Sequence, residues 1–365
     1  MKTNRVIALV LLLGTAAQGE SRFYRVASPT NSAVVQYEAP SAFTWTNAAL
    51  VLSNSIECAA DIRSNWTPCV TLPVTSIVSH IRLVVCDTNM AFIPAGAFSM
   101  GDHLGDGDPD ERPIHTVNLT EFYIDKTEVT KALWDGVYIW ATNNGYTFST
   151  NGAAKGASHP VVTITYLDAL KWCNARSERE GLTPSYYTDS TFAFVYRAGL
   201  LSVMSNSCVS WTSGGYRLPT EAEWEKAARG GQAGLRFPLG DTITHLDANY
   251  FSRTNESYDL STTRGYHPAY SNEPPPYTSP VASFMPNGFG IYDMAGNVNE
   301  MCWDSYDAAY YSTSPTNDPR GTESAPGTGN EVVRGGGWNG TSRESRLTGR
   351  WGTGPGERVG FRCVR

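Results

Sequence analysis

Charge is scarce in this chain. Asp, Glu, Lys and Arg make up 17% of its 365 residues, with a net charge of −7. No cluster of Lys or Arg interrupts that acidic balance, which excludes the basic stripe that a nucleic-acid partner needs. Metal-ligand spacing is missing as well. No C-x-x-C occurs, and His80, His103, His115, His159, His245 and His267 are scattered, so no zinc site is expected. There is no Ser/His/Asp arrangement, phosphate loop or dinucleotide fingerprint. Long apolar runs are absent too: Val6 to Leu13 is far short of the about 20 residues that a membrane-crossing helix requires. Abundant Gly, Trp and Tyr suit an exported fold of loops and short strands, and argue against coiled coil or disorder.

The N-terminus carries its own pattern. Lys2 and Arg5 precede the apolar run, and Gly14, Ala16, Ala17 and Gly19 follow it. That order describes a secretory signal peptide over residues 1–19, and the alternative is a buried N-terminal strand. The mature protein is therefore expected in the periplasm, at the cell surface or outside the cell, with no membrane span. Cysteines stand at seven positions (58, 69, 86, 173, 208, 302 and 363), and an odd count leaves at least one unpaired in an oxidising compartment. Residues 20–87 alternate β-branched and aromatic runs (Phe23 to Val26, Ala33 to Tyr37, Phe43 to Trp45, Ile81 to Val85) with Ser/Asn/Pro turns. They read as a small β-rich accessory segment without evident chemistry, in which Cys58 and Cys69 could clip a loop.

From residue 88 the chain becomes readable as one large domain to residue 365. FIPAGAFSMGD (Phe92 to Asp102) predicts a hairpin about Pro94 and Gly96, and HTVNLTEFYIDKTEVT (His115 to Thr130) has the alternation of a strand. Thr130 is a candidate N-cap for a helix facing inward through Leu133, Val137 and Trp140. Thr165 and Asp168 predict a capping box for a second helix that ends at Gly181. Thr220 and Glu223 predict another box for a third helix that stops at Gly230. Beyond Gly231, Gly, Pro, Tyr and Ser dominate and no helix is expected. Asp106, Asp108, Asp110 and Glu111 read as a solvated acidic loop.

Seven segments in this order resemble the formylglycine-generating enzyme, or sulfatase-modifying factor, family. They are FIPAGAFSMGD, FYIDKTEVTKALWD, HPVVTITYLDALKWCNARSEREGLTPSYY, YRLPTEAEWEKAARGG, NGFGIYDMAGNVNEMCWDSY, VVRGGGW and the terminal VGFRCVR. The resemblance implies an α+β, C-type-lectin-like fold with sparse regular structure. It also implies an oxidase in which two cysteines after a Gly-Gly turn hold Cu(I), a soft ion that prefers thiolate. Here those positions fall on Gly340 and Ser345, the serine of the turn becomes Gly337, and no cysteine lies between 303 and 362. Copper is therefore not expected.

Calcium survives the comparison. The resemblance implies a structural site with carboxylates from Asp293 and Glu300 and carbonyls from Gly296 and Val298. A second set would use Asn249 and the Tyr250 carbonyl, with Asp259 as a further acid. Oxygen ligands of this kind suit a hard cation, and the plain alternative is that Asp293 caps a turn and Glu300 makes an ion pair. The resemblance also implies a Cys173–Cys363 disulfide. Trp338, Arg343, Arg346 and Arg350 form a candidate ligand surface, with ion pairing to nearby acids as the alternative reading for the arginines. The expectation is a non-catalytic binding or scaffold protein with an unidentified protein, peptide or small-molecule ligand. The alternatives are an oxidase with an altered metal site and a lectin-like binder with a diversified surface.

Overall fold

The computed structural model describes residues 89–200, 204–322, 330–353, 356 and 358–365. Of the first 88 it describes the backbone of short strands. Two compact units divide the chain, Met1–Met90 and Ala91–Arg365. In the first, Ala33–Tyr37, Arg22–Ala27, Ser55–Ala59 and Thr67–Thr71 lie in that order in a four-stranded sheet. The apolar run assigned to an export signal holds a strand, Leu9–Gly14, paired in parallel with Ile81–Cys86. The side chains of Cys58, Cys69 and Cys86 lie outside the described residues.

Strand β1 (Met90–Ile93) starts at the division, and β2 (Gly96–Met100), β3 (His115–Leu119) and β4 (Phe122–Asp125) follow in the second unit. The predicted hairpin about Pro94 and Gly96 does not form. Instead β2 pairs antiparallel with β3, from Gly96 opposite Leu119 to Met100 opposite His115, and β1 pairs with β4. The two strands thus make one interrupted arm that is closed by the acidic loop. The local pattern could not distinguish these pairings, because both present the same alternation.

Three helices follow: α1 (Lys131–Thr142), α2 (Tyr166–Arg179) and α3 (Glu221–Ala228). Each starts where a threonine side chain accepts an amide hydrogen bond in the first turn: Thr130 from Leu133, Thr165 from Asp168 and Thr220 from Glu223. Only α3 has the reciprocal box, with Glu223 bonding back to the Thr220 amide at 2.8 Å. Asp168 instead accepts the Ser149 amide at 3.0 Å and pairs with Lys171 at 3.0 Å. On α1 the buried stripe is Trp134, Val137 and Ala141, one position round from the expected Leu133 and Trp140. Trp134 wins that place because its indole stacks flat on Trp172 of α2, with centroids 5.7 Å apart, and Phe361 meets both edge-on.

Four strands close the fold: β5 (Asn299–Ser305), β6 (Glu331–Arg334), β7 (Arg350–Thr353) and β8 (Val359–Gly360), ordered β7-β6-β5-β8 in one sheet. β6 runs antiparallel to both neighbours and β8 runs parallel to β5. The chain end then lies along β4, where Asp125 donates to the Cys363 carbonyl and Arg365 exchanges hydrogen bonds with Tyr123. Among the described residues no helix is long and apolar enough to cross a membrane.

Candidate functional site

The loop from Gly335 to Arg346 is built by backbone, not by side-chain ligands. Gly335 and Gly336 have φ of 85° and 72°. A Cβ on Gly336 would stand 2.9 Å from the Glu344 carbonyl carbon, so glycine is required there by both conformation and space. Trp338 donates its amide to the Asn297 carbonyl at 2.7 Å, and the Gly340 carbonyl accepts from Phe251 at 2.7 Å. Ser345 is fully buried and its hydroxyl donates to the Thr341 carbonyl at 3.3 Å. The described cysteines, Cys173, Cys208, Cys302 and Cys363, are all buried and none belongs to this loop. Nothing here presents a thiolate pair, so the loop offers no seat for a soft metal. Glu344 fills the space beside Gly340: a Cβ at that position would approach its Oε2 to 2.8 Å.

The basic cluster and the acidic loop satisfy each other. Arg346 grips Glu111 through two hydrogen bonds of 2.6 and 3.0 Å and reaches Asp108 at 3.4 Å. Arg350 forks onto Glu221 at 2.6 and 2.8 Å, and Arg343 pairs with Asp108. Asp106 pairs with Arg236 at 2.6 Å, while Asp102 orders the loop by accepting the amides of Leu104, Gly105 and Gly107. The acidic segment is therefore an anchored structural loop, not a solvated one. Of the candidate ligand surface, Trp338, Arg346 and Arg350 are buried and only Arg343 is exposed. The partner acids are Glu111, Glu221 and Asp108, which no sequence spacing relates to these arginines. Beneath them Glu225 carries a second network. Burial pushes its carboxyl up, but Arg229 and Arg334 outweigh burial and hold it at about 2.

The oxygen-rich locus lies around Asn297, a residue with φ of 64° that the sequence did not single out. Its amide donates to the Asn249 carbonyl at 2.8 Å, its Nδ2 to Glu128 Oε2 at 3.1 Å, and its Oδ1 accepts from the Ser279 amide at 2.9 Å. Each of these neighbours has a buried oxygen without a hydrogen-bond partner: Asn249 Oδ1, Glu128 Oε1 and Ser279 Oγ. Asp293, with φ of 57°, is in the same state, since Oδ2 accepts the Ala282 amide at 2.6 Å and Oδ1 is orphaned. Oxygens of this kind are costly to bury unpaired. Burial, then the charges of Asp293 and Glu300, drive the Glu128 carboxyl well above its ordinary range. Burial likewise raises Asp293 to about 6.

The expected ligand set is redrawn by this geometry. Glu300 is fully committed, with Arg362 forked on its carboxylate at 2.5 and 2.6 Å and the Trp224 indole donating at 2.8 Å. It is an ion-pair partner, as the plain alternative held. Gly296, with φ of 83°, lies against Asn249 and lets the loop fold back upon it, while Val298 is buried. Asn249 thus joins the Asp293 locus. Tyr250 gives its carbonyl to His245 at 3.1 Å, and Asp259 is filled by Tyr250, Ser252, Ser261, Arg253 and Arg264, leaving no lone pair turned outward for a second cation. Among the described residues no three His, Cys, Asp or Glu side chains converge as a metal-ligand group. A cation held at Asn297 would therefore rest on two carboxylates and on neutral oxygens, a donor set that suits calcium. Glu128 was legible only as an acid preceding the Thr130 cap, a position that gives no hint of burial.

Cys173 and Cys363, expected to be joined in a disulfide, lie with their sulfurs 3.6 Å apart and both buried, as free thiols. Asp125 fixes the seam by accepting from Arg176 at 2.7 Å and from the Cys363 amide at 3.0 Å.

Short helices on a small sheet, with long loops pinned by buried arginine–carboxylate pairs, define an α+β domain of the C-type-lectin-like, formylglycine-generating-enzyme type. The chain belongs to the family of the sulfatase-modifying factor enzyme 1-like domain, which matches residues 84–365. It is similar to the formylglycine-generating enzyme of Streptomyces coelicolor, with 34% identity across 74% of this chain and 87% of that protein. It is also similar to serine/threonine-protein kinase Pkn1 of Chlamydia trachomatis, at 31% identity over 76% of this chain but only 38% of that protein. The chaperone protein LppX of Paenibacillus barcinonensis matches at 32% over 61% of this chain and 71% of that protein. Among solved structures, Treponema denticola variable protein 1 aligns with a TM-score of 0.55 and 27% identity, covering 75% of this chain and 94% of that one. PvdO from Pseudomonas aeruginosa aligns with a TM-score of 0.54 and 27% identity, over 76% and 93%.

Proposed function

We propose that this protein is an exported, non-catalytic member of its family that binds a ligand on a calcium-stabilised scaffold. The observation that carries the reading is the loop chemistry. Gly340 and Ser345 stand where the family resemblance puts two thiols, and the serine hydroxyl is buried and bonded to its own loop. Without a thiolate pair the loop cannot hold Cu(I) or pass electrons from a substrate thiol to O₂. Calcium is supported by the orphaned oxygens of Glu128, Asn249, Ser279 and Asp293 around Asn297. Bound there, it would neutralise two carboxylates that burial otherwise disfavours as anions. Export is supported by the basic, apolar and small-residue order of residues 1–19.

A second reading, an oxidase with an altered metal site, is favoured by the similarity to the Streptomyces enzyme over most of its length. One experiment separates the two. The purified protein is incubated with copper, O₂ and a peptide containing Cys-x-Pro-x-Arg, and the peptide is followed by mass spectrometry. The binding reading expects the thiol to persist at its full mass, and turnover above a metal-free control overturns it.

A further inference from the structure

We propose that His267 is a pH-sensitive latch: as a neutral imidazole it holds the strap of residues 266–276 closed, and its protonation in mild acid releases that strap. The latch follows from the two partners of its ring. His267 is buried, its Nε2 lies 2.6 Å from the His245 carbonyl oxygen, and its Nδ1 lies 3.2 Å from the Ala269 amide nitrogen. A carbonyl can only accept and an amide N–H can only donate, so Nε2 carries the proton and Nδ1 must stay bare. A proton added at Nδ1 would point at the Ala269 N–H. The imidazolium fits only if the ring turns, and turning it also breaks the bond to His245.

The surroundings offer that charge no relief. The His245 ring stands 5.0 Å away between centroids, and Tyr270 and Phe284 pack at 4.6 and 5.7 Å. Asp259 and Arg264 act on His245 and pair with each other at 3.1 Å. Burial lowers the His267 pKa from its ordinary 6.5, the His245 carbonyl offsets part of that, and charge on the His245 ring lowers it further. His245 and His159 differ from His267 in one respect. Their Nδ1 atoms meet the hydroxyls of Thr263 and Thr278 at 2.8 and 2.9 Å, and a hydroxyl can turn from donor to acceptor. Little else holds the strap. Among the described residues it has no helix or strand. One other hydrogen bond ties residues 266–276 to the rest of the chain, from Lys155 Nζ to the Tyr270 carbonyl at 3.1 Å, beside a Lys155–Glu273 ion pair at 3.6 Å. The strap also carries Tyr266, whose ring packs 4.7 Å from Phe251 and 5.8 Å from Trp338, so its release loosens that aromatic cluster. The open form takes up the proton near 6.5 and the closed form does not. Closure is therefore fully stable above 6.5 and weakens as pH falls from there toward the lowered value.

Hydrogen exchange of the full chain tests the latch, read by mass spectrometry on peptides that contain the Ala269 and Tyr270 amides. It is run at about pH 7.5, 6.5 and 5.5 and corrected for the intrinsic pH dependence of amide exchange. Between the two lower values the opening equilibrium of the strap should rise about fivefold, the most that one proton bound only by the open form supplies. Peptides from α2 and α3 should keep their protection over the same range. His267→Gln, which has a donor and an acceptor but nothing to titrate, should lose the rise. Its difference from wild type removes whatever His245 and His159 contribute. NMR of the wild-type imidazole gives a second measurement that needs no folded variant: Nδ1 should be bare and Nε2 protonated at neutral pH, and the ring should titrate below 6.5. A strap indifferent to pH, an equal rise in the folded Gln variant, or a ring that titrates at or above 6.5 would overturn the proposal.

Discussion

Neighbouring carboxylates in this protein have unlike roles, and the roles follow from what each oxygen touches. Glu300 holds Arg362 and Trp224, whereas Asp293 and Glu128 each keep a buried oxygen without a donor. Calcium should therefore raise the melting temperature by mass action, about 2.7 kcal/mol at a hundredfold excess over its Kd. Asp293→Ala or Glu128→Gln should remove most of that gain. Glu300→Gln should instead cost about 3–5 kcal/mol without calcium, because it strands a buried guanidinium. Thermal melts with calcium and with chelator check both; a curve indifferent to chelator would refute calcium binding. Asp304 supplies a pH test away from that locus. Burial and the nearby Glu221 charge raise its carboxyl to about 8. The stability carried by its bound proton is fully present below the unfolded value, near 4, and is lost as pH rises through about 8. Asp304→Asn keeps an acceptor for the Glu221 amide, which Asp304 Oδ2 now receives at 2.7 Å. Its melting temperature relative to wild type should climb between pH 5 and pH 8, and a constant offset would contradict the assignment.

At the scale of elements, helix starts and loop anchors separate cleanly. The α3 start is local: Thr220 and Glu223 close a box within one turn, so Thr220→Ala should cost about 1 kcal/mol, measured by urea denaturation. The α2 start looks alike in sequence but uses its acid to anchor the Ser149 amide, a contact 19 residues away. The acidic loop is held from still farther, with Arg346 and Glu111 separated by 235 positions. Arg346→Met should leave Glu111 buried without its cation and cost about 3–5 kcal/mol. Pairing it with Glu111→Leu should recover much of that loss, since an apolar pair can replace a buried ion pair. Failure of the double variant to recover would mean that the loop depends on the charges themselves.

For the whole molecule, the decisive seam joins the chain end to α2 and β4. Cys173 and Cys363 face each other across a separation of 190 residues. Oxidised, the bridge would close that loop and stabilise the fold by about 5 kcal/mol on chain-entropy grounds. Non-reducing peptide mapping of protein secreted from an oxidising compartment should recover the two cysteines joined. Recovery of Cys363 alkylated without prior reduction ends the claim.

What the sequence determined by itself was whatever a few adjacent residues can encode. The three threonine caps, the stop glycines, the lectin-like scaffold through its ordered motifs, and the absence of a thiol pair at Gly340 and Ser345 were all legible there. Hydrogen bonds within one turn and the identity of one residue need no knowledge of the rest of the chain. Tertiary structure alone decided the partners of buried charge. Glu300 became the mate of Arg362, Glu128 joined Asp293, the acidic loop locked onto arginines near the other end of the chain, and β2 chose β3 over β1. Any carboxylate can satisfy any guanidinium that folding brings beside it, so sequence spacing carries no record of which pair will be sealed from water.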